Sequence, residues 1–359
     1  MNTAVIETPR TATPKILTRG QVIGLLVLVL VGSIPALFGN FGFFVGQYAL
    51  VYAMIGLSVT VLTGYAGLIS VMQYSFAGIG AVVTGLAMAS WGWPFWFAVP
   101  LAAVATLPVS LVVGVVSVRL KRLYLAIATL TFANVLGETF FKWERVTGGG
   151  AGWLVQKPKL GPLSFTTDFS FYVLCFVVAV LMVWMIEGLR TSRMGRAMLA
   201  VRDNELEAQA IGINVYKTKL AAFAISGMIA GVGGAFLAVL LSSVTPTAFQ
   251  SPLAEATSIL LLTLVVIGGI NRSIGAFIGA VTLVVQQQVF AGADFFYVFV
   301  GVYSALLLIL FLMFRPGGIV QVAKIQWGLI RTRPLVGIPI ALGVVGLNIG
   351  IAYLFLRLS

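Results

Sequence analysis

Histidine is absent from the 359 residues, and cysteine occurs once, as Cys175. Without an imidazole there is no His/Cys metal site, no Ser-His-Asp set and no Cys-His set. A single cysteine makes no intrachain disulfide. It sits inside the run FYVLCFVVAV (171–180), where a thiol packs as a small apolar group. Charge is scarce as well: Asp, Glu, Lys and Arg make up 9% of the chain, against about a quarter in an ordinary soluble domain. A compact fold of this size with so few charges cannot be solvated by water on its outside, so its solvent is largely lipid.

Apolar residues make up 60% of the chain. A spanning helix needs about 20 of them in a row to cross about 30 Å of hydrocarbon. The runs that qualify are Gly20–Phe38, Gly42–Thr63, Ala66–Ser90, Pro94–Val118, Leu123–Phe141, Phe171–Leu189, Leu220–Val244, Leu253–Ile270, Ile274–Ala291, Phe295–Phe314 and Leu335–Leu356. The fold class that follows is an all-α integral membrane protein, a polytopic bundle of about ten or eleven transmembrane segments. Ala66–Ser90 is punctuated by Gly67, Gly78, Gly80 and Gly85 and reads either as a full crossing or as a broken, re-entrant segment.

The net charge of +12 is read here as topology, not as a nucleic-acid footprint. With a cytoplasmic N-terminus and every span crossing, only Lys142, Arg145, Lys157, Lys159 and Arg357 fall outside, and the other 17 of 22 basic residues fall inside. The domain plan is then a cytoplasmic tail (1–19), a transmembrane body (20–318) with an external loop (142–170) and a cytoplasmic loop (190–219), and an extension (319–359) with one more apparent span. The leader before Gly20 suits an uncleaved anchor better than a signal peptide. Trp91, Trp93, Trp96, Trp143 and Trp153 fall where an aromatic belt is expected.

The cytoplasmic loop reads RTSRMGRAMLAVRDNELEAQAIGINVYKTK. Ser192 suits the cap of a helix from Gly195 to Ala210, and Gly212 suits the left-handed position just past its end. Met198, Val201 and Ala208, with Ala197 and Leu206 near them, mark its apolar side, and Arg196, Arg202, Asp203, Glu205 and Glu207 its charged side. The readings are a knob offered to another protein or a helix lying on lipid. Three acids between Asp203 and Glu207 favour the knob.

With this loop in place, the chain resembles the LivH/LivM family of branched-chain amino-acid ABC importer permeases, most closely the LivM half. The residues that carry the resemblance are SRMGRAMLAVRDNELEAQAIGINVYKTKLAAFAISGMIAGVGGAFLA (192–238), LTGYAGLISVMQYSFAGIGA (62–81), LYLAIATLTFANVL (123–136) with TGGGAGW (147–153), LTLVVIGGINRSIGAFIGA (262–280) and LFLMFRPGG (310–318). They occur in the family's order and cover about Gly42 to Gly318. The resemblance implies that Arg196, Arg202, Asp203, Asn204, Glu205 and Gly212 contact an ATPase subunit. It also implies a second permease chain (LivH-like, or another copy of this one), two ABC ATPases, an external substrate-binding protein and a bacterial inner membrane. This chain has no G-x-x-x-x-G-K-[ST] loop, so ATP and Mg²⁺ belong to the partner ATPase and no cofactor is expected here. Related permeases move urea, short amides or other small polar solutes.

Polar residues within spans face a cavity or one another. Ser70, Gln73, Tyr74, Ser75, Thr129, Thr131, Asn134 and Glu138 are the candidates for a substrate pathway, and Gln286, Gln287 and Gln288 invite the same reading. Family members often carry a glutamate at the position of Asn134. Here either Glu138 supplies the acid one turn on, or the pathway differs. Gly64 and Gly67 stand in a faint Gly/Ser pattern that returns at Gly268 and Gly269, as an internal repeat or simply as close helix packing. A stand-alone secondary transporter would need a membrane-embedded coupling acid; only Glu138, Glu187 and Glu255 come near the bilayer, and none is central.

Overall fold

The structure, a computed structural model, describes residues 39–118, 120, 122–160, 163–250, 253–270, 272–280 and 284. The spans expected at Gly20–Phe38, Phe295–Phe314 and Leu335–Leu356, the three glutamines at 286–288 and most of Ile274–Ala291 lie outside them. Among the described residues, four helical stretches are long and apolar enough to cross a membrane: Gly42–Tyr65, Phe95–Val116, Asp168–Thr191 and Val215–Leu241.

The first helix, α1 (Gly39–Val59), widens into a π-turn (Thr60–Tyr65) and stops. The stop is made by Gly67 at φ 69°, a conformation that a side chain resists. Residues 66–72 are not helical. They are held by Leu68 N–H on Leu62 O (3.0 Å) and by the Thr63 hydroxyl on Leu68 O (3.1 Å). Helix α2 (Gln73–Gly85) then starts and runs into a second π-turn (Leu86–Ser90). Ala66–Ser90 is not one continuous helix: its first seven residues are a bent connection and the rest is helix.

Helix α3 (Phe95–Ser117) follows Pro94 and tolerates Pro100 and Pro108 inside it. Helix α4 (Arg122–Glu138) is shorter than the run Leu123–Phe141 because Thr139–Phe141 turn out of it. The loop that follows contains one helical turn (Glu144–Thr147) and a hairpin pairing Lys159–Leu160 with Leu163–Ser164. It also contains a two-residue strand, Trp153–Leu154, antiparallel to Ser243–Val244. That pairing ties the loop to the Ser243–Val244 segment, and the Trp153 indole on Val146 O (2.8 Å) closes the loop on itself.

Helix α5 (Asp168–Thr191), capped by Thr167, leads to α6 (Arg193–Asp203), α7 (Glu205–Ala210) and α8 (Val215–Leu241). Helix α9 (Leu253–Gly268) is followed by α10 (273–280). Helix α8 is the hub and packs against α1, α2 and α3. It fits because it is narrow: a methyl at Gly234 would overlap the Ala77 carbonyl of α2, and one at Gly80 of α2 would overlap the Gly231 carbonyl. In lipid, where burying apolar surface gives helices little reason to associate, such backbone proximity supplies the packing energy.

Candidate functional site

Two places gather the residues singled out in the sequence. The first is the knob formed by α6 and α7, at the end of the bundle where α1 stops. Ser192 accepts from Gly195 N–H (3.1 Å) and starts α6, as its position implies. The expected single helix from Gly195 to Ala210 is instead two. Asn204, at φ −154° and ψ 115°, leaves the helical region, and its side-chain oxygen accepts from Leu206 N–H (3.0 Å) and Glu207 N–H (3.4 Å). An asparagine that offers its own acceptor to the backbone competes with helix continuation and opens a new N-terminus. Glu207 completes the cap by accepting from Asn204 Nδ2 (2.7 Å). At the other end Gly212 (φ 85°) closes α7 with paired bonds, Ile213 N–H on Ala208 O and Gly212 N–H on Gln209 O, both 2.9 Å.

The charged residues of the knob are engaged within the chain. Arg196 donates to Thr191 O (2.6 Å). Glu205 pairs with Lys219 at 2.7 Å, and that lysine side chain is only 5% exposed. Arg202 turns toward the bundle and donates to Gly64 O (2.6 Å), while Asp203 holds the same guanidinium at 3.1 Å from the outer side. Met198, Val201 and Ala208 are buried as their spacing implies. Leu206, grouped with them by spacing, is not: the break at Asn204 rotates it outward, and it is 77% exposed, with Ile211 at 74%. These are the most exposed large apolar side chains of the knob.

Beside the knob, the two glycine-rich breaks meet. Gly64 abuts the Ile270 carbonyl so closely that no side chain fits, and Gly268 abuts that of Gly275. Each break follows the end of a helix and carries a left-handed glycine, Gly67 at 69° and Gly269 at 119°. Glu187 at the end of α5 accepts from the Ser273 hydroxyl and lies 3.8 Å from Arg190.

The second place is a polar centre among α1, α2 and α8. Gln73, 1% exposed, accepts through Oε1 from the Ser58 hydroxyl (2.9 Å), and the single Ser226 hydroxyl proton is shared between Ser58 O (2.9 Å) and the same Oε1 (3.2 Å). Neither serine was singled out in the sequence, because an isolated hydroxyl in an apolar run carries no pattern. Ser70 is buried beside the same turn, and Val71 N–H donates to Thr129 of α4 (3.2 Å). Tyr74 packs its ring 5.3 Å from Phe249, and the Ser75 hydroxyl is buried without a hydrogen-bond partner. The other candidates lie apart on α4. Thr131 is exposed and donates to Ile127 O of its own helix, Asn134 is half-buried, and Glu138 is exposed and paired with Lys142.

Known proteins are similar over most of the chain. The LivM protein of the high-affinity branched-chain amino acid transport system of Salmonella typhimurium is 28% identical, over 79% of this chain and 70% of its own length. A probable branched-chain amino acid permease, LivH, of Methanocaldococcus jannaschii is 26% identical over 76% of this chain and 89% of its own. The ribose import permease RbsC of Haemophilus influenzae is 34% identical over 31% of this chain and 34% of its own. No solved structure matches. The family described as "Branched-chain amino acid transport system / permease component" matches residues 43–314, and the chain, a polytopic helical membrane protein, belongs to that family of transport permeases.

Proposed function

We propose that the chain forms one half of the gated pathway of an ATP-driven importer in a bacterial inner membrane, with its N-terminus and the α6–α7 knob in the cytoplasm. The solute is a branched-chain or related amino acid delivered by an external binding protein. The other half is a LivH-like permease or a second copy of this chain. Two ABC ATPases bind below, and ATP and Mg²⁺ act there, not in this chain. Support for the solute comes from the family and from the two relatives that match over most of the chain.

The observation that carries the reading is the knob. It is two short helices fixed by a cap at Asn204, a turn at Gly212 and the Glu205–Lys219 pair, and it shows Leu206 and Ile211 to its surroundings. Two large apolar side chains on a stiff, otherwise polar projection form the central anchors of a protein contact. Among the six knob residues picked out in the sequence, Asn204, Glu205 and Gly212 shape the surface that presents these anchors, while Arg196 and Asp203 border it.

The test is co-purification and uptake in proteoliposomes with an ABC ATPase and a binding protein from the same organism. The double variant Leu206→Asp, Ile211→Asp is expected to lose the ATPase and all ATP-dependent uptake while the chain remains folded. Undiminished uptake by that variant, or uptake driven without any ATPase, contradicts the proposal.

A further inference from the structure

We propose that Arg202 is a positioning residue that works on the chain's own fold: it is the pin through which displacement of the knob reaches the break at 66–72 and, beyond it, α4. The inference rests on the reading of the knob as the ATPase contact, and it reassigns Arg202 from that contact to the interior linkage behind it.

The geometry is two contacts by one side chain on either side of a backbone turn. The guanidinium donates to Gly64 O at 2.6 Å, and the stem lies on Gly67, where a built Cβ would stand 2.6 Å from Arg202 Cγ. Gly64 O belongs to the last turn of the α1 helix, where carbonyls lack intrahelical partners and a cation is favoured. Only glycine at 67 leaves room for the stem and takes up φ 69°. Asp203, 69% exposed against 29% for Arg202, holds the guanidinium in place.

The turn that Arg202 grips has no slack on its far side. Gly64 rests against Ile270 O, and Ser273, at the start of α10, is fastened to Glu187 of α5. A push on Arg202 is therefore not absorbed by movement of Gly64 toward Ile270. It passes along 66–72, where Thr63 holds Leu68 and Val71 holds Thr129. Thr129 is on α4, the most lightly packed of the long helices among the described residues. Within the knob, α6 joins α7 directly at Asn204, whose side chain caps α7, so displacement at Leu206 is carried back to Arg202, while the Glu205–Lys219 pair ties the knob to the start of α8. A contiguous, discrete linkage of this kind can carry coupling between distant sites.

The experiment uses the whole complex in proteoliposomes with three forms of the chain: wild type, Arg202→Met and Arg202→Lys. Methionine keeps an apolar stem over Gly67 and removes the donor, and lysine returns a cation. With Arg202→Met the ATPase is expected to co-purify at about the wild-type level, while ATP hydrolysed per solute imported rises by about tenfold. Arg202→Lys should recover part of that ratio. Spin labels at Tyr124 on α4 and Val177 on α5, both exposed, should show a nucleotide-dependent distance change in wild type that Arg202→Met abolishes. An unchanged ratio in both variants overturns the proposal. So does loss of ATPase binding in step with uptake, since that makes Arg202 a docking contact. Should Arg202→Met fail to fold, Arg202→Leu, which also keeps an apolar stem and removes the donor, takes its place, and a wild-type ratio in it overturns the proposal. A wild-type chain that recruits no ATPase instead removes the proposed function.

Discussion

Helices α8 and α4 are both apolar runs punctuated by small and hydroxyl residues, yet they occupy opposite situations in the fold. Helix α8 is enclosed by α1, α2 and α3, and its glycines at 231 and 234 meet backbone rather than side chain. Helix α4 touches α3, α9 and α2 lightly and leaves Tyr124, Ile127 and Val135 more than half-exposed or close to it, at 61%, 59% and 50%. Hydrophobicity does not separate the two. What separates them is the spacing of residues that let another backbone approach. On α8 these fall on the faces turned to its neighbours. On α4 the polar groups Thr131, Asn134 and Glu138 share a stretch with the exposed apolar residues, and polar groups within a span are met by protein or water rather than by lipid. Among the described residues, then, α8 is held on its sides by neighbouring helices and α4 is not.

The largest effect should come from enlarging the hub. Gly234→Leu drives a four-carbon side chain into the Ala77 carbonyl of α2. Neither backbone can retreat, because α1 and α3 close the other sides of α8. Overpacking of this kind costs about 3 kcal/mol or more. The expected outcome is loss of the monodisperse peak in fluorescence-detected size-exclusion chromatography. A wild-type peak would mean that α8 is not the fixed element.

Most of the fold was legible at the level of elements because apolar length is a local property. The long helices at 42–65, 95–116 and 168–191 lie on their sequence runs, and α8 departs from Leu220–Val244 because Asn214 caps it to start at Val215, five residues earlier, and Ser242 at φ 58° ends it at Leu241, three residues earlier. Ser192 and Gly212 were legible for the same reason, since caps are local chemistry. The break at Asn204 had a local signal too, an asparagine followed three residues later by Glu207, but the apolar spacing from Val201 to Ala208 concealed it by fitting one continuous helix. The inward turn of Arg202 had no such signal. Its acceptor, Gly64 O, is 138 residues away in sequence, and so it was read as a surface charge. The Ser58–Gln73–Ser226 centre was missed on the same grounds: three helices supply one group each.

A smaller effect follows from removing a single hydroxyl inside the hub. Thr106 on α3 is fully buried and donates to Gly227 O of α8 (2.9 Å), and Ala103 O on its own helix is also within reach at 2.8 Å. Thr106→Val keeps the shape and deletes the donor. Bonds between membrane helices average below about 1 kcal/mol, since the freed carbonyl finds other partners. The melting temperature in detergent is expected to fall by a few degrees with the fold intact. No change would mean that packing at the glycines alone holds α3 to α8.

The same deletion on α4 should hardly register in stability, and that contrast carries the comparison furthest. Thr131 is exposed and bonds only Ile127 O within its own helix, so Thr131→Val is expected to change stability by less than about 0.5 kcal/mol. What distinguishes the residue is its surroundings, and a thiol reports on them, because maleimide reacts with a thiolate in water and not with a thiol in hydrocarbon. The native Cys175 is fully buried and gives little background. With Thr131→Cys on α4 and Val177→Cys on the exposed side of α5, a membrane-impermeant maleimide is expected to label the first about tenfold faster, as for a polar position facing water. Addition of nucleotide to the assembled importer should change the rate at 131 and leave that at 177 unaltered, since α4 is the helix tied through Thr129 to the break. Equal, slow labelling at both positions would make α4 one more lipid-facing helix, and the difference between it and the hub would then be a matter of packing density without a role in transport.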